Sequence, residues 1–371
     1  MCRPLAANIS TRGKAVVKRS FLKGIASAAT AITALSSLAQ TATACTRAVY
    51  LGTEDTVVTT RSMDWVEDMK SNLWVFPRGM KRDGAAGPNS IKWTSKYGSI
   101  ATSCFDMATC DGMNETGLVA NILWLAESDY GKVDPKRPGL SIGAWTQYVL
   151  DNYSTVSEAV AALSQEPFQI VQTTVPGGRV AAVHLAITDT TGDTAVFEYI
   201  GGKLVVHHSR NHIVMTNSPT FDEQLALNAY WRNIGGLKFL PGTISAADRF
   251  ARASFYMTSI PKSSDRMEAT AAAFSVIRSV SVPLGIKVPD LPNVASTIWR
   301  TVSDQKGKVY FFDSATSPNV FWVPLADLDF KEGAPVKTLT LVGGKTFAGN
   351  AASKFEKTEP FKFAQGDAAG K

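Results

Sequence analysis

The sequence predicts an α+β layered domain, on two observations: β-branched segments punctuated by turn residues fill the first half, and helical stretches followed by a return to strands fill the second. A third observation, the absence of a Pro/Ser-rich linker or an internal repeat, keeps the count at one domain. Segments 45–51 and 55–62 are rich in β-branched residues and flank Gly52-Thr53-Glu54, the pattern of a β-hairpin. Further strands are predicted over 99–105, 117–125, 180–188, 194–199, 203–208 and 212–216. Turn residues at Asp111-Gly112, Thr191-Gly192-Asp193 and Gly201-Gly202 separate them. Ile142, Trp145, Val149 and Tyr153 recur at helical spacing, and Thr155-Val156-Ser157-Glu158 is a capping box opening a helix through Leu163. Helices are also expected over 220–231, 245–258 and 264–278, then a small antiparallel meander over 297–303, 308–313 and 319–323. The tail 358–371 is expected to be loose, leaving 45–357 as the folded domain.

The chain of 371 residues carries 38 Lys and Arg against 32 Asp and Glu, a formal +6. Residues 1–44 hold Arg3, Arg12, Lys14, Lys18, Arg19 and Lys23 and no acid, so the remainder is balanced at 32 of each sign. A neutral body without a basic stripe lacks the field that nucleic-acid binding needs. The basic run from Arg12 to Lys23, the apolar stretch 24–39 and the small residues Ala42-Thr43-Ala44 before Cys45 read as an export signal, which puts the mature chain in the periplasm or outside the cell. The apolar stretch is too short to hold a transmembrane helix, so no stable membrane insertion is expected. Lys18-Arg19-Ser20-Phe21-Leu22-Lys23 is similar to a twin-arginine motif with Lys in the first position.

Cleavage after Ala44 makes Cys45 the first residue. A lipoprotein signal also ends before a Cys, but normally has Leu where this chain has Ala42. A catalytic N-terminal thiol is the other reading, because one cut creates both the nucleophile and, in its α-amino group, a base with an ordinary pKa of about 7.7–8.0. Cys104 and Cys110, six apart, either bridge or stay as reduced buried thiols, the state that a core strand region favours. In both cases Cys45 is free.

Cys45-Thr46-Arg47, Arg61 and Asp64 within Thr59-Thr60-Arg61-Ser62-Met63-Asp64-Trp65, Asp111-Gly112-Met113-Asn114-Glu115-Thr116-Gly117-Leu118, Thr216-Asn217-Ser218-Pro219-Thr220-Phe221 and Asp248-Arg249-Phe250-Ala251-Arg252 follow one another in the chain. Together they resemble the choloylglycine hydrolase family of N-terminal nucleophile amidases, which holds bile salt hydrolases and penicillin V acylases. The resemblance implies a four-layer αββα sandwich and a homo-oligomer, a tetramer in the family. It implies Cys45 as nucleophile, Arg61 as a cation favouring thiolate, Asp64 as the partner orienting the amino group, Asn217 as an oxyanion donor and Arg249 as a further active-site arginine. Arg61 and Asp64 have opposite strand parity, so both reach Cys45 only if the strand ends or bulges between them. Arg252 competes with Arg249 for the last role.

Trp124 stands where bile salt hydrolases carry a second oxyanion Asn, and only 32 positions separate Asn217 from Arg249. Both departures look more like the exported Gram-negative branch, associated with penicillin V and acyl-homoserine-lactone cleavage, than like bile salt hydrolases. Met63, Trp65 and Trp124 are then candidates to line a pocket for an apolar acyl group, Trp124 either as packing or as an N–H donor. No metal or organic cofactor is expected. Two rivals are weaker: Gly139-Leu140-Ser141-Ile142-Gly143 has the spacing of a serine nucleophile elbow but lacks a preceding buried strand, and His207, His208 and His212 lack a carboxylate or Cys at ligand spacing.

Overall fold

The structure, a computed structural model, describes residues 45–286 and 295–367; residues 1–44, where an export signal is expected, and the residues after 367 lie outside the described residues. The hairpin expected at the start is present as the strands Thr46–Leu51 and Val57–Trp65, with Thr46 opposite Ser62 and Leu51 opposite Val57. It sits in a seven-stranded sheet ordered Val214–Met215, Thr46–Leu51, Val57–Trp65, Ser296–Asp304, Val309–Ser314, Val320–Pro324 and Gly349–Asn350. The meander expected near the end is therefore the continuation of this sheet, docked on Val57–Trp65, rather than a separate unit. A nine-stranded sheet faces it, ordered Lys203–His208, Thr194–Ile200, Val183–Thr188, Val119–Trp124, Ala108–Asn114, Ser99–Cys104, Leu73–Phe76, Lys337–Leu339 and Glu356–Lys357.

Helices cover the outer face of each sheet. α1 (Trp145–Asn152) and α2 (Val156–Leu163) pack on the nine-stranded sheet, whereas α4 (Ala246–Ser259) and α5 (Arg266–Ser279) pack on the seven-stranded one, with α3 (Phe221–Ile234) against α4. The order is helix, sheet, sheet, helix, the four-layer sandwich that was expected. The predicted capping box at Thr155 and Glu158 is present, and a second forms at Thr220 and Glu223.

Covering both faces of a strand removes any exposed side, which is why all nine residues of Val57–Trp65 are buried although five of them are Thr, Arg, Ser or Asp. Polar groups so placed must find partners inside the protein. Between the sheets many do, although among the described residues Arg47 Nη1 and Arg61 Nε and Nη1 have no hydrogen-bond partner: the Arg47 Nε donates to Asn121 Oδ1 at 3.3 Å, Asn121 Nδ2 to Asp111 Oδ2 at 2.5 Å, Thr301 Oγ1 to the same carboxylate at 3.1 Å, and the Tyr310 hydroxyl also donates to Asp111. Burial, opposed chiefly by Asp111, brings the Arg47 guanidinium down to about 9.

Three expectations are corrected. Asp111-Gly112 is not a turn but the middle of the strand Ala108–Asn114; glycine is needed there because a Cβ would stand 2.7 Å from both Ile100 O and Leu150 Cδ1 of α1. The turn lies earlier, at Phe105 and Asp106, and Cys104 and Cys110 close it as a disulfide rather than staying reduced. The tail is packed, not loose, through residue 367: Thr358 N bonds Val336 O at 3.0 Å and Ala364 N bonds Met107 O at 2.8 Å, with Phe363 and Ala364 buried.

Gly112→Ala should therefore lower stability by roughly 1–3 kcal/mol, the range for overpacking a core. Thermal unfolding that shows no drop in Tm for this variant would contradict the close contact of α1 with the strand.

Candidate active site

The first strand begins at the edge of an apolar cavity. Odd-numbered residues of the hairpin face the other sheet and even-numbered ones face the helices. Cys45, Arg47, Arg61 and Met63 thus share the inner face, with Cys45 Sγ 3.8 Å from Met63 Sδ. The Arg61 guanidinium donates to Ile122 O at 3.0 Å, stands 4.0 Å from Asp111 Oδ2 and lies 4.8 Å from the Trp299 ring centroid. Thr46, Ser62 and Asp64 share the opposite face: Ser62 Oγ accepts from Thr46 N at 3.2 Å and donates to Asp64 Oδ2 at 3.4 Å.

Arg61 and Asp64 therefore do point to opposite faces, as their parity requires. The strand neither ends nor bulges between them, contrary to the expectation, because each approaches Cys45 from its own side: Arg61 from the side of the sulfur, Asp64 from the side of the backbone. The bulge lies in the neighbouring strand, where the register shifts between Thr297 and Trp299. The extra residue turns Thr297 to the helix face, and its hydroxyl donates to Asp64 Oδ1 at 2.5 Å while accepting Val282 N at 2.9 Å.

Arg249 projects from the first turn of α4, whose start is fixed by Ser245 Oγ accepting Asp248 N at 3.3 Å. Its guanidinium donates to Cys45 O and Thr46 Oγ1 at 2.5 Å each, to Asn217 Oδ1 at 3.1 Å and to Ile244 O at 3.0 Å, and lies 3.9 Å from Asp64 Oδ2. Arg252 instead caps Pro241 O and Thr243 O, away from the site, at 2.7 and 2.8 Å. The Asp64 side chain is linked to Cys45 O through Arg249 and to Thr46 N through Ser62, not by a direct bond to the Cys45 nitrogen. That nitrogen donates to Asn217 Oδ1. The amide orientation of Asn217 is fixed on both sides, since Arg249 can only donate and the Trp124 carbonyl, which receives Asn217 Nδ2 at 2.7 Å, can only accept.

Burial dominates the electrostatics. It holds the Cys45 thiol above its ordinary value, with Arg61 the largest opposing influence. It also pushes the Asp64 carboxyl up to about 6, with Arg249 the largest opposing influence. A thiol held protonated in this way needs a base to react.

The cavity beside Cys45 has a volume of about 70 Å³ and includes Met63, Trp65, Ile122, Trp124, both disulfide cysteines and Ala364 in its walls. The Trp65 and Trp124 rings meet at 5.4 Å. Of the eight candidate residues, Cys45, Met63, Trp65 and Trp124 line this cavity, while Arg61, Asp64, Asn217 and Arg249 surround Cys45 outside it. The rivals are engaged otherwise: the Ser141 hydroxyl caps a short helix and is committed to Ala364 O at 2.6 Å behind the cavity wall, and His208 pairs with Asp193 at 2.8 Å. Asp111, Thr297 and Ala364 belong to the site and carried no role in the sequence reading. Asp111 had a signal in its motif; Thr297 and Ala364 had none.

The family model described as linear amide C–N hydrolases, choloylglycine hydrolase family, matches residues 45–338. The chain is 50% identical over 361 residues to a penicillin V acylase of Pectobacterium atrosepticum, covering 91% of this chain and 96% of that protein. The penicillin V acylase structure from Agrobacterium tumefaciens matches with a TM-score of 0.82 and 57% identity over 86% of this chain and 99% of that one. A conjugated bile acid hydrolase from Clostridium perfringens shares the fold, with a TM-score of 0.68 and 23% identity over 82% and 99% of the two chains. With its αββα sandwich and a family match that starts at Cys45, this chain belongs to the choloylglycine hydrolase family of linear amide C–N hydrolases.

Proposed function

We propose that the chain is an exported cysteine amidase which, once residues 1–44 are removed, cleaves penicillin V, acyl-homoserine lactones or both through an acyl-enzyme on Cys45. The observation that carries this reading is the position of Cys45, the one free cysteine among the described residues, at the wall of an apolar cavity with Arg61 on its sulfur side. The relatives named penicillin V acylase support the substrate class.

In this mechanism the α-amino group exposed by cleavage takes the thiol proton, and the sulfur attacks the amide carbon. Asn217 Oδ1 holds that nitrogen in place, and the second N–H of Asn217 Nδ2, free of the Trp124 carbonyl, is the candidate donor to the oxyanion. Collapse of the tetrahedral adduct breaks the C–N bond, and the leaving amine takes the proton from the α-ammonium. Water then attacks the thioester with the amino group again as base, releasing the acid and restoring the thiol. Arg249 and Asp64 keep the Cys45 backbone in register for both steps. We extend the proposal to a homo-oligomer, a tetramer as in the family, supported by exposed Tyr230, Ile234, Leu237 and Phe239 on α3 and the loop after it.

Mass spectrometry of the exported chain should show an unmodified N-terminal Cys45; a diacylglyceryl adduct would instead make it a lipoprotein anchor. Cys45→Ala should lose activity while keeping its fold, and turnover at the wild-type rate would refute the nucleophile. Penicillin V and a long-chain acyl-homoserine lactone should be cleaved faster than a glycine-conjugated bile salt.

Since Asp64 titrates near 6, acidification through that pH neutralises the charge facing Arg249, and kcat/KM should fall there. The Thr297 hydroxyl stabilises the charged form, so Thr297→Val should move this limb to higher pH. An unmoved limb would dissociate the pH dependence from Asp64. Light scattering of the processed protein should give a mass above that of the 39.8 kDa full chain; a strictly monomeric particle would remove the oligomer.

A further inference from the structure

We propose that the C-terminal segment Phe361–Asp367 is a specificity-determining wall that limits the size of the acyl group; the proposal rests on reading the cavity beside Cys45 as the acyl site. The segment lies beyond residue 338, where the family match ends, yet Ala364 is one of the residues lining the cavity. It belongs to no strand or helix. Instead, separate parts of the domain hold its backbone: Ala364 N bonds Met107 O at 2.8 Å, Gly366 N bonds Ala85 O at 2.7 Å and Asp367 N bonds Gln172 O at 2.7 Å. Hydroxyls fix its carbonyls, with Ser141 Oγ on Ala364 O at 2.6 Å and Thr173 Oγ1 on Gln365 O at 2.7 Å.

Its side chains add to this. Phe363 is buried with the Arg82 guanidinium 5.8 Å from its ring, and Phe361 meets the Trp74 ring edge-on at 5.1 Å. Gly366 approaches Val171 so closely that a Cβ would stand 2.6 Å from its Cγ1. The residue on which Ala364 hangs, Met107, lies inside the loop closed by the Cys104–Cys110 disulfide, and Met107 and both cysteines line the same cavity. Strap and cross-linked turn therefore make one continuous wall, each fixing the other.

Protein walls are packed closely enough that a change of one methylene beside the cavity alters which ligand fits. An acyl group too long for the space in front of Ala364 has to displace this wall, and a wall clamped by five hydrogen bonds at Ala364, Gln365, Gly366 and Asp367 resists displacement. Since those bonds use the segment's backbone, the side chain at position 364 can be changed without removing them.

The test uses the processed enzyme and amides of one common amine with acetyl, butanoyl, phenoxyacetyl, octanoyl and dodecanoyl groups. Ala364→Leu should lower kcat/KM for the phenoxyacetyl and longer amides by about tenfold or more relative to acetyl and butanoyl, the scale of a methylene-sized misfit in an apolar pocket. Deleting residues 361–371 should shift preference in the opposite direction, toward dodecanoyl. Thermal unfolding of both variants separates a loss of wall from a loss of fold, and Ala364→Leu keeps the test decisive if the deletion unfolds. Wild-type ratios across the series in folded Ala364→Leu would overturn the proposal. Cleavage of none of these amides by the wild type would instead remove the acyl-site reading itself.

Discussion

A guanidinium withdrawn from water costs the fold several kcal/mol unless its donors are met and its charge is faced. Arg249 meets that demand with four groups drawn from three parts of the chain: the carbonyl of Cys45 and the hydroxyl of Thr46, the amide oxygen of Asn217, and the carbonyl of Ile244, with the Asp64 carboxylate beside them. Satisfying one side chain thus brings together the start of the first strand, the loop before α3 and the first turn of α4. The site is a by-product of that satisfaction. Remove the charge and these segments lose their shared reason to meet, and a single-partner deletion in such a network leaves the other charge buried and unpaired.

The double cover of the hairpin gives Cys45 two separate environments. On the inner face lie the sulfur, Arg61, Met63 and the cavity; on the outer face lie the backbone, Asp64 and Arg249. Because strand residues alternate, neither face can be adjusted by sliding the other, and the register Thr46 to Ser62 locks both at once. The bulge at Thr297 and Trp299 serves each face with one residue: Trp299 under Arg61, Thr297 on Asp64.

Much of this was legible in the sequence where the pattern is local. The hairpin, the capping box at Thr155, α3, α4 and α5 carry their own signals, and the motifs around Cys45, Arg61, Asn217 and Arg249 mark the site. What failed depended on contacts distant in sequence. Asp111-Gly112 has the composition of a turn, and only the approach of Leu150 on α1 explains glycine inside a strand. Thr297 owes its orientation to an extra residue in one strand, which no periodicity reveals. Residues 358–367 carry no helix or strand pattern because their order comes from partners at Ala85, Met107, Ser141 and Gln172 rather than from neighbours.

The position of that last segment has a consequence for biosynthesis. Cys45 and Ala364 lie far apart in the sequence, and both border one cavity. A chain emerging in order from ribosome or translocation machinery can build its sheets early, but it cannot complete the cavity until residue 364 arrives. A polypeptide released before residue 364 would therefore have Cys45 in place and the cavity beside it open to water on that side.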